Sequence, residues 1–350
     1  MPVVGMRQLQ AMQMLPLGGK LALSGRVAGA QAAAADERAQ DVVWELRSET
    51  AMSFYDLFAA DRRLGVMRET VGLLQDIEKT AAAMYRVGAG RQADVLRAQV
   101  EIARMVEDTV RMQTMRQVMA VKLNALLDRP AEELVGVPAL PLFPDAMPRR
   151  EWLDSIARGN RPMIRAGLED VRGAEAAEQL ARKEIWPDLL IGAQYAQRGS
   201  EMGGTERMGS LMVGASVPIF ARDRQYRMRE ETGAMRLMAQ ADVAAMRADT
   251  RGKLGEAYAN LTRARNLAQL YRSTVLPQAE ATVASALAAY RVGTVDFMTL
   301  LDDQMTVNKY RQELYALEAD QGKAWAELEM LTGRVLIDAN RISAESRGDK

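Results

Sequence analysis

Cysteine and histidine are both absent from this 350-residue chain. Their absence excludes disulfide frameworks, thiolate and imidazole metal sites, and the Ser-His and Cys-His pairs of nucleophilic catalysis. Net charge of one sign is lacking too. Lys+Arg and Asp+Glu stand at 46 each, so no overall field favours a nucleic acid or another polyanion. Aromatic residues make up only 5%, and the chain is filled instead by Ala, Leu, Met, Arg, Glu and Gln, the mixture of long helices. No run reaches the roughly 18 apolar residues of a membrane-spanning helix. The opening MPVVGMRQLQAMQML has neither a basic n-region nor a continuous apolar h-region. On that opening alone the chain would remain in the cytoplasm. The expectation is a protein that is neither an enzyme nor the carrier of a cofactor or resident metal.

The prolines then divide what is there, because a helix-interior proline removes a hydrogen bond and clashes with the preceding turn. None lies between Pro16 and Pro130. That interval predicts a long helix over 20–87, a break at Gly88-Ala89-Gly90, and a return helix over 94–127. Pro130, Pro138, Pro141, Pro144 and Pro148 make the next stretch an irregular connector, followed by a short helix near Trp152. A further helix runs from Pro162 to about Ile185 and is ended by Trp186-Pro187. After Pro218 the pattern returns: a long helix over 222–290 with Pro277 kinking it, a break at Gly293, and a last helix to Leu331. Between Pro187 and Pro218 the period changes to two. DLLIGAQYAQ and GSLMVGASVPI alternate an apolar with a small or polar face, and RGSEMGGTERM joins them as a hairpin loop. Each run is long enough to cross a bilayer as a tilted strand. An ordinary hairpin packed on the helices is the plainer alternative.

The tetrapeptide YRVG occurs twice, at Tyr85-Gly88 and at Tyr290-Gly293. Laid over each other in that register, Leu96 meets Leu301, Gln99 meets Gln304, Leu123 meets Leu328, Leu126 meets Leu331 and Arg129 meets Arg334. Leu300, Val307, Leu314, Gln321 and Leu328 form one heptad row, and Asp303, Tyr310, Leu317, Ala324 and Leu331 the second. Val95, Ile102, Thr109, Arg116 and Leu123, with Ala98, Met105, Met112, Met119 and Leu126, repeat the rows in the first copy. Both return helices therefore seek a left-handed partner, and the nearest is the long helix before each. A long helix of about 100 Å, at 1.5 Å per residue, exceeds what a globular core needs.

The segmentation that follows is a first repeat over 1–129, a proline-rich connector over 130–161, a second repeat over 162–334 and a polar tail over 335–350. The second repeat holds an upper helix, two strands, a long helix, a turn and a lower helix. The first begins at its second strand, residues 3–15, with Pro16 standing where Pro218 stands. The expectation is that an upper helix, a strand and an export signal preceded Met1 and were lost by truncation.

The paired turns YRVGAGRQADVLRAQ and YRVGTVDFMTLLDDQ carry a family likeness. So do NRPMIRAGLEDVRGAE leading to KEIWPDLLIGAQY, and SVPIF with its counterpart MLPLGGKL. With them the whole chain, in order, resembles the TolC-like outer membrane factors, the channels of tripartite efflux and type I secretion systems. The resemblance implies a mainly α fold with a small β part. Long coiled-coil hairpins would form a periplasmic tunnel, and β-hairpins would contribute to a shared 12-stranded barrel in a homotrimer. It implies, too, a periplasmic adaptor and an inner-membrane transporter as partners, outer-membrane lipid around the barrel, no nucleic acid, and residence in a Gram-negative outer membrane. Elementary physics agrees, because a few strands cannot close a pore and unpaired strand edges in lipid are prohibitive. A soluble coiled-coil scaffold without channel activity is the competing reading. It leaves the uncharged alternating hairpin unexplained.

Two groups of residues become candidates for function. Val87, Gly88, Ala89, Val292, Gly293 and Thr294 form the hairpin tips, where the resemblance places adaptor docking; glycines that merely end helices are the plain alternative. Asp303 occupies a heptad position that wants an apolar side chain, so its carboxylate should face water. The resemblance places an acidic constriction at the position matching Asp302. Asp302 and Asp303, with Asp94 in the first copy, are gate candidates, the alternatives being a solvated helix face or, for Asp94, a helix cap. The 23 methionines invite a thioether relay. Met105, Met112 and Met119, however, lie on the apolar seam as adaptable filler, and no Met-x-Met cluster converges with other soft ligands along the sequence, so the cargo is not legible.

Overall fold

The alternation around Gly192 becomes a three-stranded antiparallel sheet. The strands are β1 (Met6–Leu15), β2 (Asp188–Gly199) and β3 (Thr205–Ser216), in the order β1-β2-β3. The computed structural model describes residues 6–144, 146–199, 205–217 and 221–337. Val3, the centre of the hairpin loop, Pro218 and most of the polar tail lie outside the described residues. The chain forms two compact units, each drawing on both repeats: 1–40 with 162–248, and 41–161 with 249–350.

In the first unit the register puts Leu9 opposite Tyr195, and Ile191 opposite Val213, on one apolar face. Gln10, Gln194 and Ser210 stand opposite one another on the other face. The strands run further than the apolar pattern predicted, β3 starting at Thr205 instead of Gly209. In the extension Arg198 stands opposite Glu206 and Gln197 opposite Arg207, so the backbone ladder continues where hydrophobic alternation stops. Met12 and Met212 both stand opposite Gly192, so methionines far apart in the sequence share one row of the sheet.

Gly18 and Gly19, at φ 73° and 80°, turn the chain from β1 into α1 (Lys20–Arg86), a continuous helix of 67 residues without a proline. Lys20 is only 5% exposed. Its ammonium donates to the Trp186 carbonyl and to Asp188 Oδ1, each at 2.8 Å, tying the start of α1 to the start of β2. The core of this unit uses small residues for close helix approach. Gly167 of α4 (Pro162–Lys183) lies against Val243 and Met246 of α5 (Gln225–Leu270), and Gly173 lies against Ala30. A Cβ on Gly167 would stand 3.0 Å from Val243 Cγ2, so a larger residue there would require Val243 to shift by a few tenths of an ångström. α5 begins three residues later than read, after a turn in which the Tyr226 amide donates to Ala221 O.

In the second unit α1 reverses through Gly88 into α2 (Gln92–Leu126). α5 passes through a single π turn, Tyr271–Val275, into α6 (Leu276–Arg291). The π turn is the physical form of the kink expected at Pro277. Proline has no N–H to give, and the preceding Leu276 amide reaches back five residues to Tyr271 O. The chain then reverses through Gly293 into α7 (Phe297–Thr332). The heptad rows are the buried ones: Leu300, Val307, Leu314, Leu317, Ala324, Leu328 and Leu331 are all covered. The pairing, however, is wider than each return helix on its own long helix. One core joins Leu74 and Ile77 of α1, Ala98 and Met105 of α2, Ala286 and Tyr290 of α6, and Leu300 and Leu301 of α7.

The repeat extends to how the return helices end. Asp128 and Gly333 occupy matching positions and both adopt the left-handed conformation, at φ 53° and 59°. One turn earlier, Asn124 and Glu329 also match, and both are buried polar side chains that hold the chain after the helix. Asn124 Nδ2 donates to Glu133 O at 2.8 Å, while Glu329 Oε1 accepts from the Leu336 and Ile337 amides at 2.7 and 3.0 Å. The connector holds no helix or strand among its described residues up to α3 (Arg150–Asn160). It contributes Leu140 and Phe143 to the core around Tyr55 and Phe58.

Candidate functional site

Two reversals form in the second unit from the same sequence at the same geometry. After α1, Gly88 takes φ 74° and the Ala89 and Gly90 amides both donate to Met84 O. After α6, Gly293 takes φ 77° and the Thr294 amide and hydroxyl both donate to Ala289 O at 3.0 Å. The left-handed backbone explains the glycine; space does not, since a Cβ on either residue would meet nothing within 4 Å. Beneath the tips Tyr290 and Phe297 pack edge to face, 5.8 Å between ring centres. The tips themselves are bare: Val87 is 78% and Val292 is 74% exposed, and Gly88, Ala89, Gly293 and Thr294 are exposed with them. Two aliphatic side chains held in water at matching positions satisfy no packing requirement of the chain itself.

The helix starts beyond the tips differ in a way the sequence reading did not register. Asp296 is the cap of α7, its carboxylate accepting from the Thr299 amide at 2.8 Å and the Thr299 hydroxyl at 2.7 Å. These two bonds, helped by the charges of Arg91 and Arg97, hold the Asp296 carboxyl below the usual carboxylate range. In the first copy the cap position is Arg91, which makes no side-chain cap bond, and the acid stands three residues on at Asp94. Asp94 is therefore no N-cap. Its charge, after burial, pushes the Tyr290 phenol up. The signal for Asp296 was present as Asp-x-x-Thr before an apolar run.

Asp302 is exposed and Asp303 half-buried, one turn into α7 beside the fully covered Leu300 and Leu301. Neither makes an ion pair or side-chain hydrogen bond among the described residues, in contrast to the paired acids Glu280 and Glu318 nearby. The half-burial of Asp303 matches its place at the end of the heptad row. No group of three or more acidic side chains able to hold a metal ion occurs among the described residues, and no helix there is long and apolar enough to cross a membrane. The structure thus brings both tips, Asp94 and the acids of α7 into one unit.

A small sheet with long paired helices is a fold shared with solved channel structures. The chain is 24% identical over 326 residues to the cobalt-zinc-cadmium resistance protein CzcC of Cupriavidus metallidurans, covering 91% of this chain and 75% of that protein. It superposes on the channel protein CusC with a TM-score of 0.84 at 17% identity, over 94% of this chain and 77% of that one. It likewise superposes on the open state of the Neisseria gonorrhoeae MtrE outer membrane channel, with a TM-score of 0.79 at 16% identity, over 97% of this chain and 82% of that one. The model of the outer membrane efflux proteins matches residues 6–129 and 153–334, which take in the sheet, both tips and every long helix, and so the chain belongs to the outer membrane efflux protein family.

Proposed function

We propose that this outer-membrane efflux channel works as a homotrimeric exit duct. In this reading a periplasmic adaptor seats on the tips at Val87, Gly88, Ala89, Val292, Gly293 and Thr294, and an inner-membrane pump delivers cargo beneath. The observation that carries the reading is the sheet. Among the described residues β1 and β3 each pair on one side only, and one face is apolar from Leu9 to Val213 except for Gln13. Such a sheet reaches a stable state in lipid only when its two edges are paired, which symmetric copies of the same chain accomplish. The repeats at 1–129 and 162–334 then supply equivalent hairpins, and the acids Asp302 and Asp303, with Asp94, narrow the periplasmic end as a negative ring. Cations are drawn to such a ring by its focused field, and the name of the relative CzcC suits metal cations as cargo.

The tips give the test. Gly293→Val forces a β-branched residue to φ 77°, at a cost of about 1–3 kcal/mol that can be relieved only by reshaping the turn. Cells carrying Gly293→Val should lose export while the protein still assembles. A cysteine at Val292 in the otherwise unchanged protein should form cross-links to the adaptor. Unimpaired export by Gly293→Val, together with no cross-link from Val292→Cys, would remove the tips from the docking surface.

A further inference from the structure

The two faces of the sheet differ in what their methionines are for. Leu9, Ile191, Tyr195, Leu211 and Val213 make one face the more apolar, with Gln13 its one polar side chain between Leu9 and Leu15 of β1. Met12, Met14, Met208 and Met212 all project from the opposite face, among Gln10, Gln194 and Ser210. Contact with hydrocarbon cannot be their purpose there. On this face Gly192 is buried between Met12 and Met212, while Met12 itself is 55% and Met212 42% exposed. On the barrel reading the more apolar opposite face turns to lipid, so these methionines look into the channel.

At the centre of that face is a notch. Met12 and Met212 stand opposite Gly192 from either side, their backbones about 10 Å apart at the normal strand spacing. Gly192 leaves the space between them free of a side chain. Met12 already folds into it, with Cγ only 3.2 Å from where a Gly192 Cβ would be, and Met212 Cβ borders the same point at 3.6 Å. Both flexible side chains can bring sulfur over the glycine, and the neighbouring row of Gln10, Gln194 and Ser210 supplies oxygen donors two residues along.

We propose that Met12 and Met212 form a thioether pair on the channel face that binds soft monovalent cations of the Cu(I) and Ag(I) class. Neutral thioethers donate a lone pair to such ions without any change of oxidation state, and they discriminate against harder dications, which want carboxylate or imidazole. Only two strong donors converge, so the ion is held weakly enough to leave, as a conducting site requires. The inference rests on the reading of this sheet as a barrel wall with the polar face inward.

The test is calorimetric titration of the purified full-chain protein with Ag(I) in chloride-free buffer, against Zn(II). Met12→Leu/Met212→Leu nearly conserves volume and should lose Ag(I) affinity by more than the roughly tenfold that removal of a supporting outer contact costs. Met235→Leu/Met238→Leu, which alters an exposed pair on α5, should leave it unchanged. Equal Ag(I) affinity in the Met12/Met212 variant and the unaltered protein, or Zn(II) bound as tightly as Ag(I), would overturn the proposal. Gln10→Cys separates this failure from that of the barrel reading. Labelling of Gln10→Cys by a membrane-impermeant thiol reagent, with Ag(I) affinity unmoved by the Met12/Met212 change, defeats the thioether pair alone; Gln10→Cys shielded in lipid defeats both.

Discussion

Lys20→Met is expected to destabilise the first unit by about 3 kcal/mol, the low end of what breaking a buried ion pair costs. The ammonium is 5% exposed and lies between Asp188 at 2.8 Å, Glu184 at 3.8 Å and the Trp186 carbonyl. Methionine fills the same space but leaves a carboxylate and a carbonyl without their donor, which is worse than never having placed charges there. The site joins the first turn of α1 to the first residue of β2, so its loss should appear as a lower melting temperature of the assembled protein. Lys20→Met/Asp188→Asn should recover a good part of the loss, because the stranded carboxylate is then gone. Additive damage in the double variant would show that Lys20 acts by packing alone.

Replacing Asp302 and Asp303 together by Ala should lower cation-over-anion selectivity by about tenfold, within the range that field focusing supplies. Neither acid makes an ion pair or side-chain hydrogen bond among the described residues, and the buried residues beside them, Leu300 and Leu301, are untouched by the change. Assembly should therefore be preserved, and block by multivalent cations should weaken in parallel with selectivity. Unchanged selectivity and unchanged block in single-channel recordings would place these carboxylates on an outer surface. Asp94→Ala should have the smaller effect, because it removes one carboxylate where the double change removes two.

Much of the architecture was legible because prolines and positive-φ glycines punctuate helices irrespective of tertiary context. Gly88 and Gly293 mark both reversals, and the heptad rows mark the buried side of α7. The misses have physical reasons as well. β3 begins early because the backbone ladder runs on through the charged residues Glu206 and Arg207, which in isolation read as loop. The four-helix core at Leu74, Met105, Ala286 and Leu301 could not be read from heptads, which give a seam without naming its partner. Lys20 looks like an ordinary first-turn residue after two glycines; that it is buried depends on Asp188, far along the chain. That Met12 and Met212 share one row is a property of register, which sequence fixes only through the pairing it cannot show. Asp296, by contrast, carried a local capping signal that was there to be read.

The central claim is that this chain forms a pore by sharing a barrel among copies of itself. The most direct measurement is to isolate the protein, expressed from its own locus, out of the outer-membrane fraction, determine its mass in detergent, and record from the same preparation in planar bilayers. The account predicts a trimer that gives discrete conductance steps. A monomer recovered from the soluble fraction, silent in bilayers, would contradict it and return the chain to the class of coiled-coil scaffolds.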